Sequence, residues 1–335
     1  MSCTAIRQTG HVGETSMSTR MIVSFPNRAN FQFDAAKRKF LAQGDSWFSI
    51  GALPPALTTN ILANIALDDG CGAVTFASPG KTLQQMVDWK SEADYVGVLC
   101  GGKACRWDAL LFSAGGNDLF DAILTMPGDA NPTKASMRLL RTVAERAAVL
   151  PSADGSHYVR PEGWSAFRTV MTDCIRQIIA KRDDPRSQSQ GVPIVFHSYD
   201  IAQPRNAPVV AGKIGPWLFK AFTDPAYAIP QEDWRAVVTY LLDSWQAFFV
   251  GAAGQPDINA RLAAQGVAGA NIHFASLVGT LTPASEDSDG PDGDWTNEIH
   301  PSIQGYKRLG RAYATAIPAA PETFTVAQVP TGATG

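Results

Sequence analysis

The chain is poor in the features that mark most specialised protein classes. Its 335 residues contain 5 cysteines, Cys3, Cys71, Cys100, Cys105 and Cys174, an odd and scattered set without C-x-x-C spacing. Such a set excludes a disulfide framework and a zinc site of the usual spacing, and it fits a reducing compartment. Excess charge of one sign is also missing: 28 Lys+Arg stand against 31 Asp+Glu, for a formal net charge of −3. No basic field is available to grip nucleic acid or an anionic membrane. Long apolar runs are absent too. Nothing in the N-terminal region exceeds Met21-Ile22-Val23, and the most apolar later stretch, Ala236 to Ala253, is broken by Asp243, Ser244 and Gln246. A signal-peptide core or a membrane span of about 20 nearly unbroken apolar residues is therefore not expected, and the expected location is cytoplasmic. There is no G-x-G-x-x-G after a strand-like run and no G-x-x-x-x-G-K-[ST], which removes the main support for two nucleotide-binding folds.

What is present is ordinary globular material, 45% hydrophobic and 18% charged, enough to bury a sizeable core. Five short apolar runs bounded by turn residues, Lys39 to Ala42, Ala73 to Ala77, Ala109 to Ser113, Pro193 to Phe196 and Ile272 to Ala275, read as buried strands. Helical spacing fills the stretches Pro55 to Ala66, Met137 to Val149, Trp164 to Ala180, Trp234 to Val250 and Ile303 to Ala316. Alternating strands and helices predict an α/β fold, a three-layer α/β/α sandwich on a central, mostly parallel, five-stranded sheet of flavodoxin-like type. One domain is expected over 37–317, with an N-terminal arm at 1–36 and a tail at 318–335. The connections at 119–161 and 198–231 are long for this architecture. The second carries Trp217, Phe219, Phe222 and Tyr227 among five prolines, a composition suited to an aromatic rim or to extra core beneath a loop.

Candidate chemistry gathers where strands end. Gly44-Asp45-Ser46 follows the first strand, so Ser46 stands where open parallel sheets place ligands. A following helix start would offer backbone N–H groups to an oxyanion. The second strand runs into Gly80, whose N–H can approach a substrate closely, and the third into Gly115-Gly116-Asn117-Asp118, whose Asn117 amide is a neutral donor. Each turn alone is an ordinary turn; three successive strand ends of a parallel sheet share one edge. Before the last helix, Asp294-Trp295-Thr296-Asn297-Glu298-Ile299-His300-Pro301 sets His300 where it can act as a base. Of the other histidines, only His197, at the end of the fourth strand, approaches the same edge; it reads as a pocket or structural residue. The acidic run 286–294 suggests a cation, but Pro291 and the lack of a closing glutamate break the EF-hand pattern, and a solvated loop is expected.

In their order and spacing these residues resemble the four sequence blocks of the SGNH hydrolases, also called the GDSL esterase/lipase family, over about residues 38 to 316. Gly44-Asp45-Ser46 is similar to the first block, Gly80 to the second, Gly115-Gly116-Asn117-Asp118 to the third and His300-Pro301 to the last. The resemblance implies an SGNH-type sheet and a serine esterase without metal or organic cofactor. Ser46 would be the nucleophile, His300 the general base, and the Ser46 N–H, Gly80 N–H and Asn117 side chain the oxyanion hole. The family usually has an aspartate three residues before the histidine, and this chain has Asn297, which can orient the imidazole but supplies no charge. Asp294 is the fallback orienting residue. Trp47, His197, Tyr199 and Trp217 are the substrate-pocket candidates. The expected substrate is a small-molecule, lipid or glycan ester, with no nucleic-acid partner. Acyl transfer or deacetylation of a carbohydrate, and a degenerate binding module on the same scaffold, remain the alternatives.

Overall fold

The computed structural model describes residues 19–24, 36–49, 59–68, 70–210 and 212–319. Its strands are β1 (Thr19–Arg20), β2 (Ile22–Ser24), β3 (Arg38–Gly44), β4 (Ala66–Leu67), β5 (Cys71–Thr75), β6 (Ala109–Ser113), β7 (Ile194–His197) and β8 (Ile272–Ala275). Six of them form one sheet in the order β2-β5-β3-β6-β7-β8, and every neighbouring pair is parallel. The helices are α1 (Leu83–Met86), α2 (Ala93–Leu99), α3 (Gly116–Leu124), α4 (Pro132–Met137), α5 (Val143–Arg146), α6 (Pro161–Arg182), α7 (Leu218–Thr223), α8 (Trp234–Val250), α9 (Ile258–Ala264) and α10 (Ile303–Ala314).

The central strands are covered on both faces, so their side chains are apolar without alternation: every residue of β5, β6 and β7 is buried. From β3 the chain crosses to β5 on one side and then to β6 on the other. That reversal opens a crevice at the carboxyl ends of β3 and β6, the usual ligand position in such sheets. α10 closes the fold over β7, where the Tyr313 hydroxyl donates to the Val195 carbonyl at 2.9 Å.

The expected α/β architecture with a parallel sheet is present, with one strand more than the five anticipated. Ile22–Ser24, within the stretch read as an arm, pairs with β5 at the sheet edge. Two expected helices differ. Over 59–66 there is only one 3-10 turn, Leu62–Asn64, followed by β4, while Pro55 to Thr58 lie outside the described residues. Here asparagine side chains compete for the backbone: Asn60 Nδ2 donates to the Ser49 carbonyl and Asn64 Nδ2 to the Asn60 carbonyl, both at 2.7 Å. The stretch Met137 to Val149 is likewise not one helix. Arg138 is extended, Leu139 donates to the Ala122 carbonyl, and Leu140 bridges Val159, which buries two successive leucines that a helix would point apart. A new turn then starts at Thr142 through a capping box with Glu145.

Candidate active site

The site begins with a tight seam between β3 and β6. A Cβ on Gly44 would lie 2.9 Å from the Ser113 Cβ, so only glycine lets the two strand ends approach this closely. Asp45 donates its N–H to the Ser113 carbonyl, and its carboxylate is locked from three directions. Oδ1 accepts from Trp47 N (2.9 Å) and Ser113 Oγ (2.7 Å), and Oδ2 from the Tyr199 hydroxyl (2.5 Å). Burial pushes this carboxyl up to about 6 despite those donors. The turn it holds presents Ser46.

His300 arrives from the other end of the chain. Its Nε2 lies 2.9 Å from Ser46 Oγ and its Nδ1 lies 3.2 Å from Asn297 Oδ1. The same Asn297 oxygen accepts the backbone N–H groups of Ile299 (3.1 Å) and His300 (3.0 Å). Two backbone donors identify that atom as the amide oxygen, so the Nδ1 facing it must carry the proton and Nε2 is left to accept from Ser46. Burial holds the His300 imidazole down to about 4, and among the described residues no carboxylate opposes the effect. Asp294 does not face the ring. Its carboxylate accepts from Thr282 N (2.7 Å) and pairs with Arg308 (2.6 Å), so the fallback orienting role is not supported by its position.

Asn117 and Ser46 line one cavity, together with Trp47 and Tyr199. Asn117 Nδ2 donates to the Lys81 carbonyl at 3.1 Å, and its second N–H stays available. Gly80, with φ +76, is an exposed turn residue at the neighbouring strand end and is not part of the cavity wall. The two turns are tied together by Asp118, whose carboxylate accepts the Leu83 N–H at 2.6 Å and caps α1. Trp217 stands beside the site, its ring 6.2 Å from His300 and 6.3 Å from Phe120. His197 does not reach the cavity. It is fully buried behind Trp47 (ring centroids 6.0 Å), its Nε2 has no hydrogen-bond partner among the described residues, and burial lowers it to about 4.

Several supporting residues escaped the sequence reading. Glu298 is fully buried and its carboxylate accepts the N–H groups of Trp217, Leu218 (3.1 Å), Phe219 (2.7 Å) and Arg205 (3.3 Å). Arg205 in turn donates to the Asn297 carbonyl at 2.9 Å and to the 288–290 turn. The pair thus clamps the His300 loop against the Trp217 segment, and burial raises Glu298 to about 7. The position of Glu298 beside Asn297 was the only available signal; Arg205 gave none. The acidic loop is fastened internally, with Asp292 accepting the Ser285 N–H at 2.7 Å. Among the described residues no cluster of His, Cys, Asp and Glu has a metal-binding arrangement, and no helix is long and apolar enough to cross a membrane.

No protein-family model and no curated protein matches the chain. Among solved structures it is similar to an extracellular lipase from Streptomyces rimosus, at 15% identity over 81% of this chain and 97% of that one, with a TM-score of 0.39. It is similar to an acetyl xylan esterase from Geobacillus stearothermophilus at 14% identity, 84% and 95% coverage and TM-score 0.35. A GDSL-like lipase from Bacteroides thetaiotaomicron gives 11%, 84%, 87% and 0.35. These are distant likenesses of fold, and the chemistry of this chain has to be argued from its own residues.

Proposed function

We propose that the protein is a serine-dependent carboxylic ester hydrolase. The observation that carries this reading is the continuous hydrogen-bonded chain Ser46 Oγ, His300 Nε2, His300 Nδ1, Asn297 Oδ1 at the mouth of a cavity. Ser46 Oγ attacks the ester carbonyl while His300 Nε2 takes its proton, and the negative charge forming on the carbonyl oxygen is met by the Ser46 N–H and the Asn117 amide, both at the cavity. His300 then protonates the departing alkoxide. Water, deprotonated by the same Nε2, attacks the acyl-Ser46 carbonyl, and the imidazolium returns that proton to Ser46 Oγ as the acyl C–Oγ bond breaks and the acid leaves. Asn297 keeps the tautomer that this sequence of transfers requires, without adding charge.

The serine hydroxyl 2.9 Å from the imidazole supports the hydrolase reading over a degenerate binding module. The reading includes a reducing, cytoplasmic setting, which the unpaired Cys71, Cys100, Cys105 and Cys174 support. The test is labelling by a fluorophosphonate probe together with p-nitrophenyl ester hydrolysis. Wild type should react in both assays and Ser46→Ala in neither. Turnover surviving in Ser46→Ala would overturn the assignment.

A further inference from the structure

The cavity that opens at Ser46 continues inward between residues of α3 and α8. One wall is Leu119 and Ile123, one turn apart on α3, and the other is Val238, Leu241 and Leu242, a single stripe of α8. The polar side chains that touch it are already occupied. Asp45 accepts its three donors, the Tyr199 hydroxyl is spent on Asp45, and the Asp200 carboxylate takes the N–H groups of Ile201, Gly279 and Leu281 at 2.6–2.7 Å. Apart from Asn117 at the mouth and the indole N–H of Trp295, the wall offers little to the hydroxyls of a sugar ring.

We infer that this cavity is an acyl pocket for unbranched apolar chains, which rests on the esterase reading and names its substrate class: esters of short to medium fatty acids. Gly116 and Ile123, which both line the cavity, are about 10 Å apart along α3, the extended length of a chain of about eight carbons. Each methylene taken from water into this wall strengthens binding by about fourfold. The effect appears in kcat/KM, because the chain is held alike in ground and transition states.

The test is kcat/KM for p-nitrophenyl esters from acetyl to palmitoyl, with wild type, Ile123→Trp, Leu242→Ala and Ser46→Ala, each checked for folding by thermal melting. Wild type should favour hexanoyl over acetyl by about 10²-fold and gain nothing beyond octanoyl. Ile123→Trp, which fills the inner end, should collapse that ratio toward unity, and Leu242→Ala should move the optimum to longer chains. A wild-type ratio near unity, or a ratio that ignores both wall substitutions, would overturn the inference. If Ile123→Trp does not fold, Leu242→Ala decides alone. Calorimetric binding of octanoate to Ser46→Ala separates the two levels. Binding that Ile123→Trp abolishes, with no Ser46-dependent turnover of any ester, keeps the pocket and sinks the hydrolase; turnover without chain-length preference and without octanoate binding does the reverse.

Discussion

Replacing Asn297 by aspartate isolates the electrostatic part of the site. Asn297 Oδ1 accepts from Ile299 N, His300 N and His300 Nδ1 at 3.0–3.2 Å, and a carboxylate oxygen can take that seat without moving any donor. The charge changes, and the Nδ2 donor on the far side gives way to a second carboxylate oxygen. In wild type, burial holds His300 at about 4 against an ordinary 6.5, a penalty of about 3.4 kcal/mol on the imidazolium. A carboxylate at this distance would attract the imidazolium by about 5 kcal/mol at an effective dielectric of about 20. If about half of that survives relaxation and solvent, the imidazole returns to about 6. Because the imidazolium forms in the transition state, kcat/KM on the plateau should rise by about 10–10²-fold. The sign for pH follows: raising the pKa of a group that must be neutral moves the acid limb of kcat/KM upward, from about pH 4 in wild type to about pH 6 in Asn297→Asp. The assay is initial rate from about pH 3.5 to about pH 9 with chromatographic product detection. A wild-type limb already near neutrality would refute the burial argument, and an Asn297→Asp profile identical to wild type would show that residue 297 does not govern the reacting imidazole.

The remaining predictions concern stability and positioning. His197 has a folded pKa depressed to about 4, so its contribution is complete above its unfolded value of about 6.5 and is lost as pH falls toward 4; at pH 5 the loss is about 2 kcal/mol. Urea unfolding of His197→Phe should therefore be flatter between pH 7.5 and pH 5 than wild type by about that amount, and equal slopes would contradict a buried neutral ring. Gly115 has φ +95 and a Cβ there would lie 2.3 Å from Trp245, so Gly115→Ala should cost about 2–4 kcal/mol in the same assay. Gly128→Ala, at φ +78 with open space around it, should cost only about 1 kcal/mol. Glu298→Gln replaces one of two accepting oxygens by a donor facing backbone N–H groups. It should lower stability by about 2–4 kcal/mol and reduce kcat more than it changes KM, since what it releases is the His300 loop; an unchanged kcat would leave Glu298 a purely structural clamp.

Buried parallel strands announce themselves, because a segment such as Ala109–Ser113 must be apolar on both faces and end where the chain turns. The strand ends then bring Ser46 and Asn117 to one cavity without further information. Ile22–Ser24 could not be seen in the same way: it is three residues long and half exposed at the sheet edge, and its only distinction is a partner fifty residues downstream. The broken helix after Met137 had the right periodicity, but its register is set by Ala122 and Val159, which are distant in sequence. The cavity walls were hidden for a different reason. α8 presents one continuous apolar stripe, along which Val238 and Leu242 border the cavity and Trp245 and Phe249 pack in the core, and residue type alone does not separate a wall from a core. Arg205 and Glu298 are 93 positions apart, and only folding reveals that each needs the other.

The hydrogen bond between His300 and Ser46 joins residues 254 positions apart in the sequence. The serine therefore stays without His300 until the chain between them has folded and α10 has docked. Contacts of such separation form late, after the loop entropy of the intervening chain has been overcome. On the proposed esterase reading, partly folded molecules are accordingly inert toward esters, and recovery of Ser46-dependent activity in a refolding experiment would time the final docking event rather than the earlier formation of the sheet.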